Sequence, residues 1–114
     1  MTDSPSSKVV HAGFGRPASW QGRSGRHFDL LGESLEQFTM TEADLYLLTQ
    51  GGHALWVGTL AELVADPISR SRFRLALTCA DRVFHLPAPT DPAERLRLIW
   101  DLEGAEPARG AQAA

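Results

Sequence analysis

Ser69-Arg-Ser-Arg-Phe-Arg-Leu-Ala-Leu-Thr-Cys-Ala-Asp-Arg-Val-Phe-His85 is the stretch on which the fold turns. Phe73, Ala76, Leu77, Ala80, Val83 and Phe84 recur at helical spacing, which predicts a helix over residues 69–85 with one buried face. Ser69 is placed to cap it, and Pro87 and Pro89 stop it.

Working outward, a helix is expected on each side. Thr59-Leu-Ala-Glu62 is a capping box, with Leu60, Leu63 and Val64 as an apolar stripe, and Asp66-Pro67 ends this helix after residues 59–65. Asp91-Pro-Ala-Glu94 combines an N-cap, proline at the first helical position and glutamate at the third. The helix so begun runs over residues 91–103, faces Leu96, Ile99 and Trp100 inward and stops at Gly104.

The first half of the chain carries strand signals. Leu45 to Thr49 and Ala54 to Val57 are apolar runs around Gly51-Gly52, whose freedom at positive φ suits a tight hairpin turn over residues 44–58. A second hairpin is expected over 27–40, where Phe28 and Leu30 alternate with His27 and Asp29, and Phe38 and Met40 share a face beyond Gly32-Glu33-Ser34. Thr41-Glu-Ala-Asp44 has a helix-capping pattern. The sum is an α+β domain: a small antiparallel sheet of two hairpins covered by three C-terminal helices.

The organisation expected is a flexible segment over 1–25, one domain over 26–104 and a flexible tail over 105–114. Residues 1–25 hold five serines and many glycines, too little apolar surface to offset ordering entropy. Val9, Val10, Phe14 and Trp20 are the exceptions, able to dock on the body or on a partner.

The net charge is −3, and the last 85 residues carry seven arginines against twelve acids. An acidic body disfavours a nucleic-acid partner, because phosphate contacts need clustered cations. No apolar run reaches the roughly 18 residues of a membrane span, and the N-terminus has no signal-peptide stretch, so a cytoplasmic protein is expected. One lysine against ten arginines, with much alanine, glycine and leucine, points to GC-rich bacterial coding.

No catalytic set emerges, and no cofactor or metal is expected. His11, His27, His53 and His85 are never three or four residues apart, so no helical metal pair exists. Cys79 has no disulfide partner and reads as a small apolar residue beside the buried stripe. Gly-x-Ser-x-Gly is absent, and Gly13-Phe-Gly15 and Gly22-Arg-Ser-Gly25 lack the strand-to-helix setting of a phosphate loop. Glu94, Asp101, Glu103 and Glu106 read as a wet acidic helix side. The most suggestive cluster is Arg70, Arg72 and Arg74, at a helix start where backbone N–H groups and the dipole favour an anion or an acidic partner.

Asp44-Leu-Tyr46, nine residues and then Trp56-Val-Gly58, followed by a short helix, resembles the opening of GIY-YIG nuclease domains. Those begin with a hairpin carrying Gly-Ile-Tyr and Tyr-Ile-Gly. Tyr46, Val57 and Gly58 match the motif, whereas Asp44 and Trp56 stand in for its first glycine and second tyrosine. The family's helix arginine and metal-binding glutamate have no counterpart here, so the transition-state charge lacks its stabiliser. The resemblance implies a degenerate nucleic-acid-binding or nuclease-related domain. The composition and the basic cluster favour instead a non-enzymatic interaction or regulatory module of a bacterial cell that binds a protein partner.

Overall fold

The computed structural model describes residues 16–108. Val9, Val10 and Phe14, singled out above for docking, lie outside the described residues. Among the described residues the architecture is one six-stranded antiparallel sheet, curled into a half-barrel, with three helices. Strands β1 (Arg16–Gln21) and β2 (His27–Glu33) form one hairpin, and β3 (Asp44–Gln50) and β4 (His53–Thr59) another. Helices α1 (Leu60–Ala65) and α2 (Pro67–Cys79) follow, then β5 (Arg82–Pro87), α3 (Pro92–Glu103) and the two-residue β6 (Glu106–Pro107). The strand order is β4-β3-β5-β2-β1-β6.

This corrects the expectation of two hairpins under three helices. The helix foreseen over 69–85 is a helix that ends at Cys79 and a strand that begins at Arg82. Val83 and Phe84 satisfy the helical spacing, but both are buried, and they point to opposite faces of the sheet. Asp81 makes the break. Its N–H donates to the Thr49 carbonyl at 2.9 Å, and its carboxylate accepts from Gly51 N–H at 2.9 Å, which steers the chain into the sheet. The β-branched and aromatic residues that follow suit a strand covered on both sides.

The first hairpin also differs. The partner of β2 is β1, with Trp20 opposite Phe28. Gly25, at φ +94°, supplies the positive φ of their turn. Strand β1 lies within the N-terminal segment 1–25, and β6, which pairs with it, within 105–114. Residues 34–43 form no strand, and Thr41–Asp44 forms no helix. Leu35, Phe38 and Met40 nonetheless pack inward, and Phe38 meets the Tyr46 ring edge-on at 5.7 Å.

Alternation along the strands creates two cores. Leu45, Leu47, Phe84, Phe28, Leu30 and Trp20 face α3, whose Leu98 and Leu102 fill that side. Tyr46, Leu48, Val83 and Trp56 face α1 and α2, which contribute Leu63 and Ala76. The helices therefore lie on both faces, not on one. Trp20 packs edge-on to Phe84 at 5.5 Å, so the inserted strand holds the first hairpin to the second. His85 adds a polar tie: Nε2 lies 2.9 Å from Glu33 on β2, and Nδ1 lies 3.3 Å from Asp44 on β3.

The caps at Thr59 and Asp91 are in place, each accepting from the backbone N–H three residues on. Helix α2 is capped by Asp66 with Pro67 at its first turn, not by Ser69. Asp66 also closes α1, so one residue ends a helix and starts the next. On α3 the buried residues are Leu98, Asp101 and Leu102, and Ile99 packs partly against the same core as expected. Trp100 is half exposed under the Arg23 guanidinium, and Leu96 is exposed. Among the described residues no helix is long and apolar enough to cross a membrane.

Phe84→Ala is expected to lower the unfolding free energy by about 3–5 kcal/mol, as truncation of a buried aromatic does. Leu75→Ala should change it by less than about 0.5 kcal/mol. Urea denaturation of the two variants checks this, and equal losses would put both residues on a common buried face.

Candidate functional site

Strand β4 ends the sheet, so one row of its backbone groups has no neighbouring strand. Among the described residues, no backbone group of His53–Val57 pairs outside the sheet. The register to β3 skips Leu55: Leu48 stands opposite Trp56 and Thr49 opposite Ala54. Leu55 is thus a bulge residue, and such bulges re-aim side chains at sheet edges.

Two helices overhang this edge, one from each face. Helix α2 buries only Ala76. Its Ile68, Arg72, Leu75 and Cys79 follow a spacing of four, three and four, and line a groove beside β4. This second stripe turns away from the core, and Ile68 and Leu75 are 63% and 69% exposed. Cys79, expected beside the buried face, is exposed here. From the other face α3 supplies Ile99 and Glu103, and Ala54 to Val57 form the floor. The groove encloses about 660 Å³.

Its charge is uneven. Among the described residues, Glu62, Asp66 and Glu103 line it against Arg72 alone. Glu62 accepts from Thr59 N–H at 3.0 Å, and Asp66 accepts from Ile68 N–H at 3.0 Å, so both carboxylates also serve as caps. Glu103 ends α3, whose last turn holds no basic residue of its own, and the cation at that end is Arg23 from the β1–β2 turn, with Nε donating to the Trp100 carbonyl at 3.2 Å. A carboxylate there opposes the helix dipole.

The three arginines do not gather. Arg70 donates to the carbonyls of Leu63 and Val64 at 2.9 and 3.1 Å, completing the end of α1. Arg72 faces the groove, and Arg74, four residues from Arg70, lies on the other side of α2. The residues of the GIY-YIG-like pattern do come together, but in the core. Tyr46 pairs with Gly58 across the hairpin and is 1% exposed, its hydroxyl accepting from Thr41 N–H at 2.7 Å. Trp56 packs edge-on to Phe73 at 4.9 Å, and a Cβ at Gly58 would press on that indole ring.

Asp101, read as part of a wet acidic side, is buried and structural. It accepts from the Ser24 N–H at 2.8 Å and hydroxyl at 2.7 Å, fastening α3 to the β1–β2 turn. A Cβ on Gly22 would collide with its carboxylate. Among the described residues, no group of three or more histidine, cysteine or acidic side chains is placed to hold a metal.

Compared with known proteins, the chain matches no family model, no curated protein and no solved structure.

Glu103→Lys places a cation where the helix dipole favours one, and is expected to raise stability by about 0.3–1 kcal/mol. Chemical denaturation checks the sign. A loss would show that the carboxylate has a stabilising partner within the fold.

Proposed function

We propose that this chain is a non-enzymatic interaction module, a regulatory or accessory part of a bacterial cell, that holds a protein partner in the groove between α2, α3 and β4. One observation carries the reading. Helix α2 turns Ile68 and Leu75 away from its own core and toward an uncovered strand edge. Single exposed aliphatic residues are ordinary on protein surfaces. Here they collect in one concave place with Leu55 and Ile99, which is the form of a binding surface with an apolar centre and polar rim.

Arg70 and Arg74 take no part in this surface, because Arg70 is engaged at the end of α1 and Arg74 lies on the far side of α2. Nothing in the placement of Tyr46 and Trp56 favours a nuclease-related role, since both side chains pack in the core.

Photo-crosslinking in the native cell tests the proposal. A photoreactive residue at position 75, inside the groove, is expected to trap a discrete protein partner, and Ile68→Asp is expected to abolish the adduct. The same residue at position 96, exposed on α3 outside the groove, is the control. Equal trapping at both positions, or adducts that survive Ile68→Asp, would overturn the assignment.

A further inference from the structure

Resting on that reading of the groove, we propose that the segment it takes is a short extended peptide of alternating aliphatic and basic residues, added beside β4 as a seventh strand.

The edge itself points to a strand. Native proteins blunt exposed edges with charge, proline, bulges or a covering helix, and β4 has the Leu55 bulge and flanking helices but neither of the first two. Strand β4, His-Ala-Leu-Trp-Val-Gly-Thr, carries no lysine, arginine, acid or proline. The row of its backbone donors and acceptors over His53–Val57 that faces away from β3 takes no backbone partner among the described residues. Main-chain pairing at such an edge supplies affinity, and pockets for alternate side chains supply specificity.

The walls select a lone segment over a second sheet. Helix α2 packs on one face of the sheet and α3 on the other, so the edge is recessed between them. The bulge at Leu55 interrupts a long register. A second copy of the domain would have to bring its own two helices to the same place.

Those walls also define the sequence preferred. Successive side chains of an added strand point to opposite faces. One set falls against Ile68 and Leu75 of α2 and is aliphatic. The other falls on the α3 side, beside Ile99 and Glu103, and is cationic where it meets the Glu103 carboxylate. Glu62 and Asp66, at the α1–α2 end of the groove, outnumber Arg72 on the other wall and keep the field of the groove negative among the described residues.

The test uses the full chain, 15N-labelled, and three acetylated and amidated eight-residue peptides: alternating valine and lysine, alternating valine and glutamate, and the valine–lysine peptide N-methylated at alternate amides. The valine–lysine peptide is expected to shift the amides of His53–Val57 and slow their hydrogen exchange. The glutamate peptide should bind at least about tenfold more weakly, the gap narrowing with salt, and the N-methylated peptide should not bind. Glu103→Lys, which leaves two acids against two cations, should abolish the charge preference. Equal affinity for both charges, or shifts on α2 without protection of β4, would overturn the inference. So would sedimentation showing a dimer that protects β4 with no peptide added, since the occupant would then be a second copy. Failure of every peptide with the position-75 adduct retained removes strand addition alone; loss of both removes the groove assignment as well.

Discussion

Burial of Val83 and Phe84 on opposite faces of one strand is the constraint on which this structure depends. Neither hairpin is stable as an isolated pair of strands. Strand β5 enters between them, and its two adjacent side chains complete both cores at once: Val83 among Tyr46, Leu48 and Trp56, and Phe84 among Trp20, Leu30 and Leu47. The six strands form one sheet because β5 is its third member, paired to β3 on one side and β2 on the other. The His85 contacts with Glu33 and Asp44 bridge the same three strands. The helices then follow from side-chain alternation, since each face of the sheet needs its own cover.

That strand was the part least visible in the sequence. Val83 and Phe84 fit a helical repeat and a strand equally well when the preceding residues are helical, and only a tertiary contact, Asp81 with Thr49 and Gly51, decides between them. Strand β1 was hidden by composition: its serine and proline mask the inward alternation of Ala18 and Trp20, although Gly22 and Gly25 mark the turn to Phe28. Local chemistry was legible where it is self-contained. The glycine turn between β3 and β4 and the caps at Thr59 and Asp91 need no distant partner to form. Which face of a helix is buried does need one. Leu98 and Leu102 go inward on α3 while Leu96 and Trp100 stay out, because the sheet lies on that side.

The groove was legible only in part. The spacing of Ile68, Leu75 and Cys79 marks a second stripe on α2, which the stronger helical repeat running on to Phe84 masks. That the stripe borders a strand edge is a matter of sheet order and has no local signal. The arginines were conspicuous as a run, but helical geometry sends Arg72 away from Arg70 and Arg74.

The pairing of β6 with β1 places Ala108, bonded to Ser19, at one margin of the sheet order, with β4 at the other. The curl of the sheet brings those two margins together at one end: a side chain at Gly52, in the β3–β4 turn, would press on the Pro107 ring of β6. The smallness of that one turn residue is what lets the half-barrel close there.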